Sequence, residues 1–333
     1  MEPIRVGVIG IGVMGKLYSR IVSELPYTEL CGVADIHFDK AEETAKRYDA
    51  RAFRDSRELI RETSPDAVII STPEDQHVEP VRHAAQTGIP IFLEKPIGIT
   101  IQDGMKILQE VHDANISLMV GHTLRFDPRY TSARDAIQKG KLGSIVHMAA
   151  RRNGSIAGAT RIAGRCSVTM FLGIHDIDFM LWTLGRRVAQ VFSYGKMEKL
   201  NSYGVHDSIV SLLKFEDDTS AILETSWVAP VMFWQFEAVG TEGILQISTP
   251  ELETAAYTRE GMQFSFPLYQ FEPLPSGQIW NLYQAQLSHF FDCIINDKPF
   301  IIQPEEALEA VAVAEAIDRS INSGKPEVPE MVE

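Results

Sequence analysis

An alternation constrains this chain more than any other feature. Over roughly the first 120 residues, short apolar runs take turns with segments of helical character. "IRVGVIG" (4–10), "ELCGVAD" (29–35), "DAVIIST" (66–72), "IPIFLEKP" (89–96) and "SLMVGH" (117–122) have the composition of strands covered on both faces. Between them lie 13–24, 39–50, "SRELIRET", 77–88 and 102–115, which read as helices; 39–50 is an exposed one, with acid–base pairs such as Glu42 and Lys46 at helical spacing. Strands joined through helices run parallel, because a tight turn can only reverse the chain. Residues 1–122 therefore predict an α/β domain with a doubly wound parallel sheet.

After about residue 123 the pattern changes. "IVHMAARRN", "VAQVFSYGKME", "SIVSLLKFEDDTSAILETSW", "FWQFEAVGTEGILQIST" and "TAAYTREGMQFSFP" are period-2 or β-rich runs, with hairpin connections at 216–220 and 240–243. Helices are expected at 130–140, 174–185, 280–295 and 304–324, the last with Pro at its start and Gly at its end. Residues 123–333 thus predict an α+β domain with a large, mainly antiparallel open sheet, and the 304–324 helix is expected to lie back on the first domain. "SIVSLL" and "AILETSW" look apolar on both faces, which predicts cover by another subunit in a homodimer or homotetramer.

The first strand runs into Gly10-Ile11-Gly12-Val13-Met14-Gly15, which opens the first helix. In that strand–turn–helix setting, Gly10 permits a tight turn, Gly12 lets the backbone approach a pyrophosphate, and Gly15 lets helix and strand come close. The helix start offers unpaired N–H groups to the phosphates. Asp35 ends the next strand, 20 residues beyond Gly15, where its carboxylate can accept both ribose hydroxyls. Ile36 and His37 follow, with no adjacent arginine, so a 2′-phosphate should be repelled and NAD preferred over NADP. A glycine-rich turn that binds nothing is the competing reading.

In such sheets ligands lie beyond the carboxyl ends of the strands. Ser71-Thr72-Pro73 with His77, and Glu94-Lys95, sit at two of those ends and should face the dinucleotide. A lysine there could relay a hydroxyl proton. In the second half, "GIHDIDFMLW" places His175 at a helix start, with Asp178 at i+3 able to orient its ring and Asp176 turned toward solvent. His-Asp-x-Asp has no further ligand cluster, so no metal is expected. "RRNGSIAGATRIAGR" (151–165) holds Arg151, Arg152, Arg161 and Arg165 and no acid. It could clamp an anion or be a solvated loop or oligomer contact, with Arg151 and Asn153 the best substrate contacts.

A net charge of −14 argues against nucleic acid and anionic membranes as partners. Cys31, Cys166 and Cys293 have no paired spacing, and the N-terminus shows no leader pattern. No apolar run approaches the ~20 residues of a membrane span. The chain reads as a cytoplasmic protein.

Together, the glycine loop, Asp35, "STP…H", "EKPIG", "GHTLRFDP" and "GIHDID" resemble, in order and over essentially the whole chain, the Gfo/Idh/MocA family of oxidoreductases. The resemblance implies a Rossmann domain, a half-open antiparallel α/β domain, and nicotinamide-dependent oxidoreduction of a secondary alcohol or ketone in a sugar, sugar acid or cyclitol. It implies Lys95 as catalytic lysine and His175 as catalytic histidine. It also implies Glu94 and Ser71-Thr72-Pro73 along the nicotinamide, Arg125 near it, and Tyr283 facing substrate. The chain departs at Phe171, where many polyol dehydrogenases carry aspartate, and at Met232, where some carry tyrosine. Both changes make the site less polar and put inositol in doubt. A non-catalytic NAD-binding regulator could lose Lys95 or His175, and this chain keeps both. An NAD-dependent glycosidase working by transient oxidation would use the same residues.

Overall fold

The structure is a computed structural model that describes residues 2–229, 233–248, 254–258, 261–266 and 282–332; Met232 lies outside them. The chain divides into two compact units, Met1–His122 with Tyr283–Leu308, and Thr123–Leu282 with Glu309–Glu333.

The first unit begins β1 (Ile4–Ile9), α1 (Val13–Glu24), β2 (Thr28–Ala34), α2 (Phe38–Tyr48), β3 (Arg51–Phe53) and α3 (Ser56–Thr63). It continues β4 (Ala67–Ile70), α4 (Val78–Ala85), β5 (Ile91–Leu93), α5 (Ile101–Ala114) and β6 (Leu118–Val120). The six strands lie in the order β3-β2-β1-β4-β5-β6, all parallel. The order reverses between β1 and β4, so the carboxyl ends of those strands flank a switch point where ligands bind in such sheets. Helices cover both faces, which is why Val8, Val68, Ile69, Phe92 and Leu93 are completely buried. Asp55 and Thr100 cap α3 and α5 by accepting from Glu58 N and Asp103 N, and so set where those helices start. β3 was not expected. Three residues carry no periodicity, and only pairing with β2 makes "RAF" a strand.

The second unit contains α6 (Pro128–Gln138), β7 (Ile145–Asn153), α7 (Ile156–Ile162), α8 (Ile174–Leu184), β8 (Val188–Lys196), β9 (Ser208–Phe215) and β10 (Ser220–Ser226). β11 (Phe233–Gly240), β12 (Gly243–Ser248), β13 (Thr254–Thr258) and β14 (Gly261–Phe266) complete its sheet. The order is β14-β13-β12-β11-β7-β10-β9-β8; only the β7–β10 pair is parallel among the paired strands described. Exposed Tyr194, Val210, Leu212 and Ile222 adjoin across β8, β9 and β10, the second apolar face read from the sequence.

Two helices complete the chain, α9 (Leu282–Asn296) and α10 (Pro304–Ser323). The first departs from the expected division. Most of α9 belongs to the first unit, because Leu287, Phe290 and Phe291 are buried there, with Phe290 edge-on to Phe92 at 5.7 Å and Tyr27 donating to Ser288 Oγ at 3.1 Å. Most of α10 belongs to the second unit, as the expected division had it. Ser193 N donates to Ser320 Oγ at 3.0 Å, and Val191 bridges Glu327 just beyond the helix.

Candidate active site

In the first unit the site is built largely from main chain. Gly10 ends β1 with φ +88°, and a Cβ there would lie 2.6 Å from Thr72 N. A Cβ on Gly15 would lie 1.9 Å from the Gly10 carbonyl oxygen. Only glycine permits both the turn and the close approach of α1. Gly12 differs: a Cβ there would meet nothing within 4 Å, so the bareness of this backbone serves no internal packing. Gly12 also caps α1 without a side-chain hydrogen bond, and the first turn carries no acid. This is the fit expected for a pyrophosphate held by main-chain N–H groups. Ile11 is buried, while Val13 is exposed.

Asp35 has a second task. One carboxylate oxygen accepts from Ile11 N at 2.7 Å and the other from His37 N at 2.8 Å. It therefore ties the glycine loop to the end of β2, and each oxygen keeps a lone pair for a ribose hydroxyl. Ile36 beside it is exposed. Ser71 Oγ donates to the Gly10 carbonyl at 2.8 Å, and Thr72 Oγ1 to the Gln76 carbonyl at 3.2 Å. Pro73 is exposed. His77, expected along the cofactor, is instead buried, with Nε2 3.3 Å from the Thr72 carbonyl. Burial holds its pKa down. A neutral ring supporting the loop from beneath is what that environment favours.

The Glu94-Lys95 pair does not point outward as a unit. Glu94 turns into the protein, where its carboxylate accepts from the Tyr18 hydroxyl and, at 3.1 Å, from Lys95 N. Burial pushes its pKa up, with Lys95, Tyr18 and the Lys95 N–H opposing. Lys95 is partly exposed. Tyr283 lies edge-on to Tyr18 at 6.4 Å. The sequence reading missed Tyr18. Its one signal is a tyrosine on the inward face of α1, three residues past Gly15 and in line with Ile21 and Val22.

In the second unit the polar side chains hold one another. Residues 169–173 form a π turn that leads into α8, a helical irregularity often found at functional sites. It carries Phe171, tilted against Trp227 at 5.5 Å, and delivers the partly exposed His175 to the first turn of α8. Asp176 corrects the sequence reading. Expected in solvent, it is fully buried and takes a two-point ion pair from Arg152, at 2.5 Å from Nε and 3.0 Å from Nη2. Burial opposes the Arg152 charge, but Asp176 and Tyr130 overcome it and raise the pKa. Asp178 is also buried and receives Arg125 in the same way, at 3.1 and 2.7 Å. The Arg125 guanidinium, expected at the nicotinamide, pairs with Asp178 and stacks 5.2 Å over Trp182.

The arginine-rich segment is no single clamp, and part of it is helix α7. Arg151 pairs with Glu224 at 2.8 Å across the β7–β10 register, on the sheet face opposite Arg152. Alternation along β7 separates the two side chains. Arg161 is exposed, and Arg165 donates to its carbonyl at 3.4 Å. Asn153, at the end of β7, has a buried Oδ1 with no hydrogen-bond partner among the described residues, the kind of acceptor a substrate hydroxyl satisfies.

Residues 4–122 match the NAD-binding Rossmann domain of the Gfo/Idh/MocA oxidoreductases, and residues 130–246 match the C-terminal domain of that family. The chain belongs to the Gfo/Idh/MocA family. This Gfo/Idh/MocA protein is an NAD-dependent oxidoreductase, and residues 4–122 are its NAD-binding Rossmann domain. It is 26% identical to scyllo-inositol 2-dehydrogenase (NAD(+)) of Bacillus subtilis, over 97% of this chain and 95% of the relative. It is 27% identical to inositol 2-dehydrogenase of Rhizobium meliloti, over 96% and 97% of the two chains. Its fold matches scyllo-inositol dehydrogenase from Lactobacillus casei with bound NAD(H) and scyllo-inositol, at a TM-score of 0.84 and 22% identity over 98% and 99% of the chains. Among the described residues no group of His, Cys, Asp and Glu could hold a metal ion, and no helix is long and apolar enough to cross a membrane.

Proposed function

We propose that this oxidoreductase interconverts a secondary alcohol and a ketone on a neutral cyclitol or sugar ring. The observation that carries the reading is within the first unit: the bare Gly12 backbone and the Lys95 turn both stand at carboxyl ends of the same parallel sheet. Bound NAD supplies the hydride acceptor for oxidation. Gly12 and the first turn of α1 hold its pyrophosphate; Asp35 accepts from the ribose hydroxyls and disfavours a 2′-phosphate. Ser71, Thr72 and Pro73 line the nicotinamide side. Lys95 takes the proton from the substrate hydroxyl as the carbonyl forms, and His175 is the second proton carrier. Asn153 and Tyr283 contact substrate.

An anionic substrate is the weaker reading. Arg151 and Arg152, the cations proposed to clamp it, already hold Glu224 and Asp176. Relatives named as inositol dehydrogenases support a cyclitol. The test is a panel of scyllo-inositol, myo-inositol, glucose and glucuronate with NAD and with NADP, read as NADH or NADPH formation. A neutral ring with NAD should give the highest kcat/KM, and Lys95→Ala should lower kcat by about 10²–10⁴-fold with NAD affinity kept. Glucuronate as best substrate, or equal use of NADP, would contradict the assignment.

A further inference from the structure

Tyr18 is a completely buried polar side chain that ties the helix of the glycine loop to the Lys95 turn. Its ring is fixed edge-on to Phe92 at 5.3 Å and to Tyr283 at 6.4 Å, so the hydroxyl has a single aim. That aim is one oxygen of the buried Glu94 carboxylate, whose other oxygen accepts from Lys95 N. We propose that Tyr18 is a positioning residue for Lys95: its hydroxyl fixes the Glu94 carboxylate, and the carboxylate fixes Lys95 through the Lys95 N–H.

The inference rests on the reading of Lys95 as proton carrier, and the chemistry gives it a reason. A buried carboxylate is costly unless its oxygens are hydrogen-bonded. Burial already drives Glu94 toward the neutral acid, and nearby Glu74 pushes the same way, while the Tyr18 hydroxyl and the Lys95 N–H and charge favour the anion. Tyr283 beside Tyr18, and His77, whose ring meets the main chain of Pro96 and Ile97, also face this turn. Tyr18 itself stays a donor, because burial and Glu94 raise its pKa well above the ordinary phenol value. Removing the donated bond should raise the Glu94 pKa further and weaken the anionic form beside Lys95. The ammonium of Lys95 then loses its neighbouring negative charge and gives up its proton at lower pH.

The test reads Lys95 directly, without turnover. The full-length protein is labelled with acetic anhydride across a pH series, and acetylation of Lys95 is quantified by peptide mass spectrometry. In Tyr18→Phe, which keeps the ring contacts, the Lys95 titration should move down by about one unit. Glu94→Gln should move it by a similar amount, and the double variant no further; if Tyr18→Phe does not fold, Glu94→Gln carries the measurement. An unchanged Lys95 titration in the folded variants overturns the proposal, since a purely structural role moves Tm but not this titration. Turnover that survives in Lys95→Ala would remove the proton-carrier role and leave the titration result standing, so the two failures are distinct.

Discussion

The two units solve the problem of buried polarity in opposite ways. In the first, the candidate site is mostly backbone: glycine positions, a helix start and carbonyls braced by Ser71 and His77. Its buried carboxylate, Glu94, is held by a neutral phenol and an N–H. In the second, buried charges meet as Arg125–Asp178 and Arg152–Asp176, each a two-point contact. A backbone site depends on what is missing, namely side chains that would clash or fill the cradle. A site framed by ion pairs depends on both partners being present. Loss of one partner should therefore be felt chiefly as stability in the second unit and as ligand binding in the first.

The largest effect should come from breaking a pair. Asp176→Ala or Arg152→Ala leaves an uncompensated buried charge and should cost about 3–5 kcal/mol in urea unfolding. Arg151→Ala, which breaks an exposed pair with Glu224, should cost under about 1 kcal/mol. Equal costs would erase the distinction between paired frame and surface.

The glycines test the other half. Gly12→Ala introduces a Cβ into open space and should leave Tm unchanged without NAD. It should weaken NAD binding by about 10–100-fold, the value of one or two lost N–H contacts. Gly15→Ala drives a Cβ into the Gly10 carbonyl and should lower Tm even without NAD. Calorimetry of both variants separates the cradle from the packing; a large fall in the Tm of Gly12→Ala would sink the cradle.

The smallest effect sharpens the description of the second unit, where one carboxyl, Asp318, is met by a hydroxyl and a second carboxylate. Asp318 on α10 is half-buried and accepts from Ser167, whose oxygen in turn accepts from Met170 N at 3.0 Å in the π turn. Burial pushes its pKa from 3.8 up to about 7, with Glu315 adding to the rise. The native state then binds more protons than the unfolded chain between those values. Its contribution to stability is present at low pH, falls as pH rises from about 4 to about 7, and is level above. Asp318→Asn should gain roughly 1–2 kcal/mol at pH 8, discounted for partial exposure, and nothing near pH 4. Unfolding curves at the two pH values check this, and a gain of the same size at both would rule it out.

Sequence alone determined the parallel sheet, its glycine loop and the strand ends that bear Asp35, Ser71 and Lys95. Each of these is a local matter: a run of apolar residues, a backbone that tolerates no Cβ, a position a few residues past a strand. Spacing along the chain records such requirements directly. The placement of α9 and α10, the inward turn of Glu94 onto Tyr18, and the burial of Asp176 were decided only by tertiary structure. Tyr18 and Glu94 stand 76 residues apart, and Arg125 and Asp178 stand 53 apart. An acid in the first turn of a helix reads as solvated because the helix dipole suffices to explain it. It becomes the centre of a buried pair only when a strand brings Arg152 over it, and no periodicity in α8 encodes that approach.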